Sequence, residues 1–311
     1  MHVLFCGTPQ FAVPSLERLL QTGFKADLVI TNPDEPSGRG YALKPPPVKQ
    51  SAAENGLRIF QPAKLKDPFT QAFISEFKAD AIVVVAYGHI IPPWMLALPR
   101  LGCVNLHASL LPRYRGAAPI AWSIIRGERL TGVTTMKIDT KLDTGDILLQ
   151  QEVNILDTDT TETLSERLSS LGANLMVETL EKLDRGEIEP RPQDHSQATL
   201  APLLKKEDGR IDWSWTSDEI SRRVRGLRPW PGAYTRFRGK NLHLWSAIPA
   251  QVSSASGLAP GAMIAEQGRL AVVCGEATVL ALNELQLEGR RRLPTRDFLN
   301  GVRLATGEKL G

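Results

Sequence analysis

Along the first 190 residues, short apolar runs alternate with segments of helical spacing, and that alternation predicts a parallel sheet covered by helices. His2 to Cys6 reads as a strand and Gly7-Thr8-Pro9 as a turn. Phe11 to Thr22 follows as a helix, with Phe11, Leu16, Leu19 and Leu20 on one face and Gly23 ending it. Ala26 to Thr31 is a second strand. The run from Ala79 to Ala86, A-D-A-I-V-V-V-A, is apolar nearly throughout, as a central strand buried on both faces requires. Gly102 to His107, Thr131 to Ile138 and Ile147 to Val153 are further strands. Thr160 to Asp184 is a long helix with Leu164, Leu168, Leu171, Leu175 and Leu180 along one side.

The pattern changes near residue 186, where G-E-I-E-P-R-P-Q-D-H-S-Q-A-T reads as a linker. Beyond it lie a helical stretch, Ser217 to Gly226, and short β-like runs separated by Gly and Pro turns: Ala233 to Phe237, Asn241 to Ala247, Leu270 to Cys274 and Thr278 to Gln286. A small barrel fits that spacing, and a sandwich fits it equally well. The expected organisation is therefore a Rossmann-like, mostly parallel, doubly wound α/β domain over residues 1–187. A linker over 188–208 and a small C-terminal, OB-like β-barrel over 209–311 follow.

The 311 residues are 42% hydrophobic and 23% charged, ordinary for a soluble globular protein. The absence of a long apolar run and the direct entry into a strand argue against a membrane span or a secretory leader, so the expected location is cytoplasmic. Cys6, Cys103 and Cys274 are scattered singly with no metal-ligand spacing, so reduced, buried thiols and no metal are expected. The net charge of +3 hides an asymmetry: residues 209–311 hold 15 Lys and Arg against 9 Asp and Glu, leaving the rest of the chain mildly acidic. A basic module suits a polyanionic partner, although many solvated surfaces are basic as well.

No G-x-G-x-x-G follows the first strand and no G-x-x-x-x-G-K-[ST] occurs, so neither dinucleotide nor nucleoside triphosphate binding is indicated. Chemistry gathers instead in N-L-H-A-S-L-L-P-R-Y-R-G and in L-D-T-G-D. On a strand ending at His107, Asn105 and His107 have the same parity and leave on the same face. An amide donor, an imidazole and the carboxylate of Asp143 are the groups needed to hold a tetrahedral oxyanion and move a proton. Taken alone, Asp143 beside Gly would more commonly be a turn aspartate. His2, His195 and His243 read as satisfied or exposed residues, and His89 as a possible pocket-lining one.

Those two motifs, with F-C-G-T-P-Q-F-A-V-P, N-P-D-E-P-S-G-R-G-Y-A-L-K-P-P-P-V-K, V-V-V-A-Y-G-H-I-I-P, G-R-I-D-W and R-P-W-P-G-A-Y-T, resemble the folate-dependent formyltransferases along essentially the whole chain. They resemble in particular the branch that acts on initiator Met-tRNA. The resemblance implies transfer of the formyl group of 10-formyltetrahydrofolate to the α-amino group of the esterified methionine. Asn105, His107 and Asp143 would be catalytic, with Cys103 a packing residue. Folate contacts would come from Ser109, Leu110, Leu111 and Pro112, and from backbone at Ala86, Tyr87, Gly88 and Ile91.

The segment Asp34 to Lys49 holds Gly38, Gly40 and three consecutive prolines, a composition that excludes a helix or a central strand. The resemblance sends this loop into the acceptor stem, with Arg39 as the key contact and Lys44 and Lys49 beside it. Arg222, Arg225, Arg236 and Arg238, with Arg223, Arg228 and Lys240, are the C-terminal candidates for phosphate. A monomer is expected. Two alternatives are a formyl-folate enzyme acting on a small amine or a sugar nucleotide, or on water as a hydrolase, and a nonenzymatic RNA-binding protein. The first is disfavoured by the loop and the basic module, the second by the intact trio.

Overall fold

The apolar runs of the first half take their places in one sheet in the computed structural model, which describes residues 1–37, 42–305 and 307–311. The chain divides into two units. The first comprises Met1–Pro119, Leu130–Asn154 and Ser165–Ala201, and the second Ile120–Arg129, Ile155–Leu164 and Pro202–Gly311. The stretch 188–201, expected as linker, thus groups with the first unit.

In chain order the first half contains β1 (His2–Gly7), α1 (Val13–Gln21), β2 (Lys25–Ile30), β3 (Glu35–Ser37), β4 (Ala42–Lys44), α2 (Pro47–Glu54), β5 (Ile59–Phe60), α3 (Pro68–Ser75), β6 (Ala81–Val85), α4 (Pro93–Leu96), β7 (Cys103–His107), α5 (Pro119–Ile125), β8 (Leu130–Lys137), β9 (Ile147–Asn154) and α6 (Thr161–Asp184). The sheet order is β5-β2-β1-β6-β7-β8-β9. It is parallel from β5 to β7, and β8 and β9 are antiparallel. Every residue of β6 is buried, as expected for a strand covered on both faces. The chain leaves β1 toward β2 on one side and returns through β6 on the other, so the sheet reverses direction between β1 and β6. Ligands of open α/β sheets bind beyond the carboxyl ends of strands at such a reversal.

The expectation that prolines bar a helix between residues 34 and 49 is corrected. Helix α2 begins at Pro47, which occupies one of its first two positions. There the missing N–H is one the helix would leave unpaired anyway, and the fixed φ suits the first turn.

The second unit adds α7 (Ser217–Gly226), β10 (Ala233–Phe237), β11 (Lys240–Ala250), β12 (Met263–Glu266), β13 (Arg269–Val273), β14 (Val279–Leu287), β15 (Leu293–Pro294) and α8 (Thr295–Asn300). Its strands form an antiparallel sheet in the order β10-β11-β14-β13-β12, with β15 on β14. Helix α7 starts with a capping box in which Thr216 and Glu219 satisfy each other's backbone N–H. It buries Ile220 and Val224 in a core with Trp213, Phe237 and Leu282. Residues 307–311 run beside the two outer strands: Met263 N donates to Glu308 O at 3.0 Å and Gly311 N to Arg236 O at 3.1 Å. All three cysteines are free and buried.

Candidate active site

Strand β7 carries Cys103, Asn105 and His107 on one face by the alternation of side chains, while Leu106 points the other way onto Gly172 of α6. Cys103 lies deepest, packed with Ile82 and Met95, and burial pushes its thiol up to about 12. His107 ends the strand and is buried. Its Nε2 lies 2.9 Å from Tyr114 O. A carbonyl can only accept, so Nε2 carries the hydrogen. The other ring nitrogen, Nδ1, is 3.7 Å from Asp143 Oδ2, within ion-pair range and beyond a hydrogen bond. Asn105 is half-buried, and its carboxamide has no hydrogen-bond partner among the described residues.

Both residues that face the ring sit in left-handed backbone, Tyr114 at φ 61 and Asp143 at φ 51. Non-glycine residues avoid that region, at a cost of order 1–3 kcal/mol each, and hold it only where their surroundings enforce it. For Asp143 the enforcing contacts are visible. Gly116 N donates to Oδ2 at 2.8 Å, and Gln193 Nε2 donates to Asp143 O at 2.9 Å and to Gly145 O at 2.7 Å. Gly145 is pressed against β8, where a Cβ would come within 1.8 Å of Lys137 O. Tyr114 N donates to Thr199 Oγ1 at 2.9 Å, and Arg115 exchanges backbone hydrogen bonds with Thr199 and Ala201.

The Arg115 guanidinium, almost fully buried, donates to Gln193 Oε1 from Nε at 3.1 Å and from Nη2 at 2.6 Å, and Nη2 lies 2.9 Å from His195 Nδ1. His195, read from sequence as a bystander, therefore borders the supporting network. Arg115 and Gln193 were not singled out from the sequence at all. A glutamine in a proline-rich stretch offers no periodicity, and only its partners, 78 and 50 residues away, reveal it.

The segments expected to meet folate follow the carboxyl ends of β7 and of its paired neighbour β6. Ser109 is fully buried, donates to Arg113 O at 2.6 Å and accepts at its own carbonyl from Thr134 Oγ1 at 2.6 Å. Leu111 packs with Met136 and Ile147, while Leu110 and Pro112 are half-buried. After β6, Ala86 (φ 47) and Gly88 (φ 83) are exposed, and Tyr87 and Ile91 are buried. Among the described residues, none of the backbone N–H groups from Tyr87 to Ile91 donates to another backbone group. Apolar walls with unspent main-chain donors fit a flat heteroaromatic ring. Among the described residues no group of three His, Cys, Asp or Glu is placed to hold a metal ion.

Arg39 lies outside the described residues. Lys44 is exposed on the β3–β4 ribbon opposite Glu35. Lys49 contacts both oxygens of Asp34 at 2.7 Å, and the hydrogen bond from Gln61, then that from Lys49, holds the carboxyl below the usual carboxylate range. In the second unit, Arg225 donates to Asp159 O at 2.8 Å and Arg222 lies over Gly127. Arg238 forks onto Glu308 at 2.7 and 2.9 Å. Arg236 is exposed and spends one donor on Gly239 O at 3.0 Å. These four do not present equally free guanidinium groups.

Residues 1–180 match the family described as "Formyl transferase", and residues 203–303 match "Formyl transferase, C-terminal domain". The chain is 52% identical to the methionyl-tRNA formyltransferase of Koribacter versatilis over 312 aligned positions, covering 100% of this chain and 99% of that protein. It is 52% identical to that of Acidobacterium capsulatum, covering 100% of both. Among solved structures, an N-formyltransferase from Helicobacter canadensis in complex with folinic acid and dTDP-3-aminofucose aligns at TM-score 0.69 and 19% identity, over 90% of this chain and 98% of that one. HypX from Aquifex aeolicus aligns at TM-score 0.66 and 18% identity, over 98% of this chain and 49% of that one. At these identities the structural likenesses show the fold.

Proposed function

The chain belongs to the formyl transferase family, and from that premise we propose that it transfers the formyl group of 10-formyltetrahydrofolate to the α-amino group of methionine on initiator Met-tRNA. The observation that carries this is the pairing of His107 and Asp143 at the carboxyl end of β7, the strand that also carries Asn105, in a chain that matches methionyl-tRNA formyltransferases end to end.

The neutral amine attacks the formyl carbon and forms a C–N bond, and the carbonyl oxygen takes up negative charge. Asn105, whose carboxamide has no partner among the described residues, donates to that oxygen. The Nε2–H of His107 rests on a neutral carbonyl until the oxyanion develops. An oxyanion is the stronger acceptor, so this contact strengthens in the transition state more than in the ground state. Asp143 orients the imidazole and relays the proton lost by the amine toward N10 of the folate as the N10–C bond breaks. No side chain forms a covalent intermediate.

Folate would lie against the backbone of Ala86, Tyr87, Gly88 and Ile91 and against Ser109 to Pro112. Of these, Ser109 would contribute main chain and shape, because its hydroxyl is already committed to Arg113 O. Residues 1–187 would carry catalysis. Residues 209–311 would serve as an OB-like tRNA-binding domain, joined by Arg39, Lys44 and Lys49, in a monomeric cytoplasmic enzyme. The balance of 15 basic to 9 acidic residues in 209–311 supports that assignment.

The decisive assay incubates the protein with 10-formyltetrahydrofolate and, separately, Met-tRNA, uncharged tRNA and an amino-sugar nucleotide. Formylation of Met-tRNA alone is expected. Turnover of the amino sugar with none of Met-tRNA would overturn the proposal.

A further inference from the structure

We propose that Gln193 is a positioning residue for the His107–Asp143 pair, bridging the Arg115 guanidinium to the backbone carbonyls of Asp143 and Gly145, and this rests on the formyl-transfer chemistry above. The orientation of its amide is fixed by its neighbours. A guanidinium only donates, so the group facing Arg115 Nε and Nη2 is the oxygen. Two carbonyls only accept, so the group facing Asp143 O and Gly145 O is the nitrogen.

The contacts close a ring. The carboxylate of Asp143 accepts from Gly116 N, and Gly116 follows Arg115 in the chain. The Arg115 side chain grips Gln193, and Gln193 returns to the backbone carbonyl of Asp143. Its outer parts are anchored separately, Arg115 to the backbone of Thr199 and Ala201, and Arg191 to that of Ile147 at 2.8 and 2.9 Å. Asp143 is thus held at both its carboxylate and its carbonyl, which is what a left-handed, non-glycine residue needs to stay in place.

No isosteric replacement keeps both halves of the bridge. Glutamate would pair more strongly with Arg115 yet would turn an oxygen toward two carbonyl oxygens, releasing the loop that carries Asp143. Gln193→Glu therefore separates positioning from burial, since it retains size and the Arg115 contact. A shift of the carboxylate by about 1 Å is enough to cost on the order of 100-fold in rate.

The test is a double-mutant cycle on the full chain, read by single-turnover formylation of Met-tRNA, with KM measured for both substrates. Gln193→Glu is expected to lower kcat about 10- to 100-fold, leave both KM values within about twofold, and move the pH profile of kcat. In an Asp143→Asn background the same change is expected to cost no more than about twofold, because the carboxylate it positions is gone. Gln193→Met, of equal length without a donor, is read in the same cycle should the glutamate variant fold poorly. Equal fractional losses in the two backgrounds, or an unchanged kcat, would overturn the positioning role. Failure of the unmutated protein to formylate Met-tRNA would instead overturn the functional assignment on which it rests.

Discussion

His107 shows how a small number of contacts define a catalytic group. One nitrogen donates to Tyr114 O, and the other faces Asp143 Oδ2 at 3.7 Å without a hydrogen bond, so one hydrogen bond fixes the imidazole and the carboxylate acts on it through its charge. Asn105 has no such restraint, and its removal tests oxyanion stabilisation with the least disturbance of structure. Asn105→Ala is expected to reduce kcat roughly 100- to 1,000-fold with folate KM little changed, measured at saturating substrate. The thiols make a contrasting case: burial raises Cys103 and Cys274 to about 12 and pushes Cys6 well up. Little thiolate then exists at pH 8, and the folded protein is expected to resist iodoacetamide until denaturant exposes the thiols. The facing of Asn105 and His107 was legible from strand parity alone. Asp143 was legible as chemistry only beside a family likeness, because Asp next to Gly is ordinarily a turn. Gln193 and Arg115 were not legible, since their roles come from partners distant in sequence.

Elements with strong local signals were recovered almost to the residue, and weak ones were lost. Helix α7 was expected near its observed limits, and the Thr216–Glu219 capping box at its start is the local signal that fixes that boundary. Strand β10 was found equally well between its turns. Short helices α3 and α4, four to eight residues long, carry too few turns for a 3.6-residue period to register. Strand β12 has four residues, two of them exposed, and shows no alternation. The prolines before α2 misled because proline terminates a helix from within but starts one from its first turn. For α7, Thr216→Ala is expected to cost about 1 kcal/mol by leaving Glu219 N unpaired. A lower melting temperature with little change in folate KM, followed by calorimetry and kinetics, is the expected pattern.

At the scale of the whole molecule, charge is distributed by unit, but counting basic residues overstates what is available to a polyanion. Arg225 is turned onto Asp159 O and partly desolvated, and Arg238 is forked onto Glu308. Arg236 keeps most of its donors in solvent. Arg236→Ala is therefore expected to weaken tRNA binding and to reduce the slope of log affinity against log salt by about one, with an unchanged melting temperature. Arg238→Ala should act chiefly on stability, because it strands Glu308 in the segment beside β10 and β12. The hydrogen bonds from Arg238, and then the Ala305 N–H, hold the Glu308 carboxyl below its ordinary range. A carboxyl depressed on folding contributes stability above its unfolded pKa and loses it as pH falls through the folded value. The two melting temperatures should accordingly differ at neutral pH and converge in acid, below the usual carboxylate range. A difference that persists undiminished there would mean that Arg238 supports the fold through contacts that do not titrate, its packing on Phe237, whose ring lies 4.9 Å from its guanidinium, and its hydrogen bond to Arg303 O at 2.8 Å, and not through Glu308.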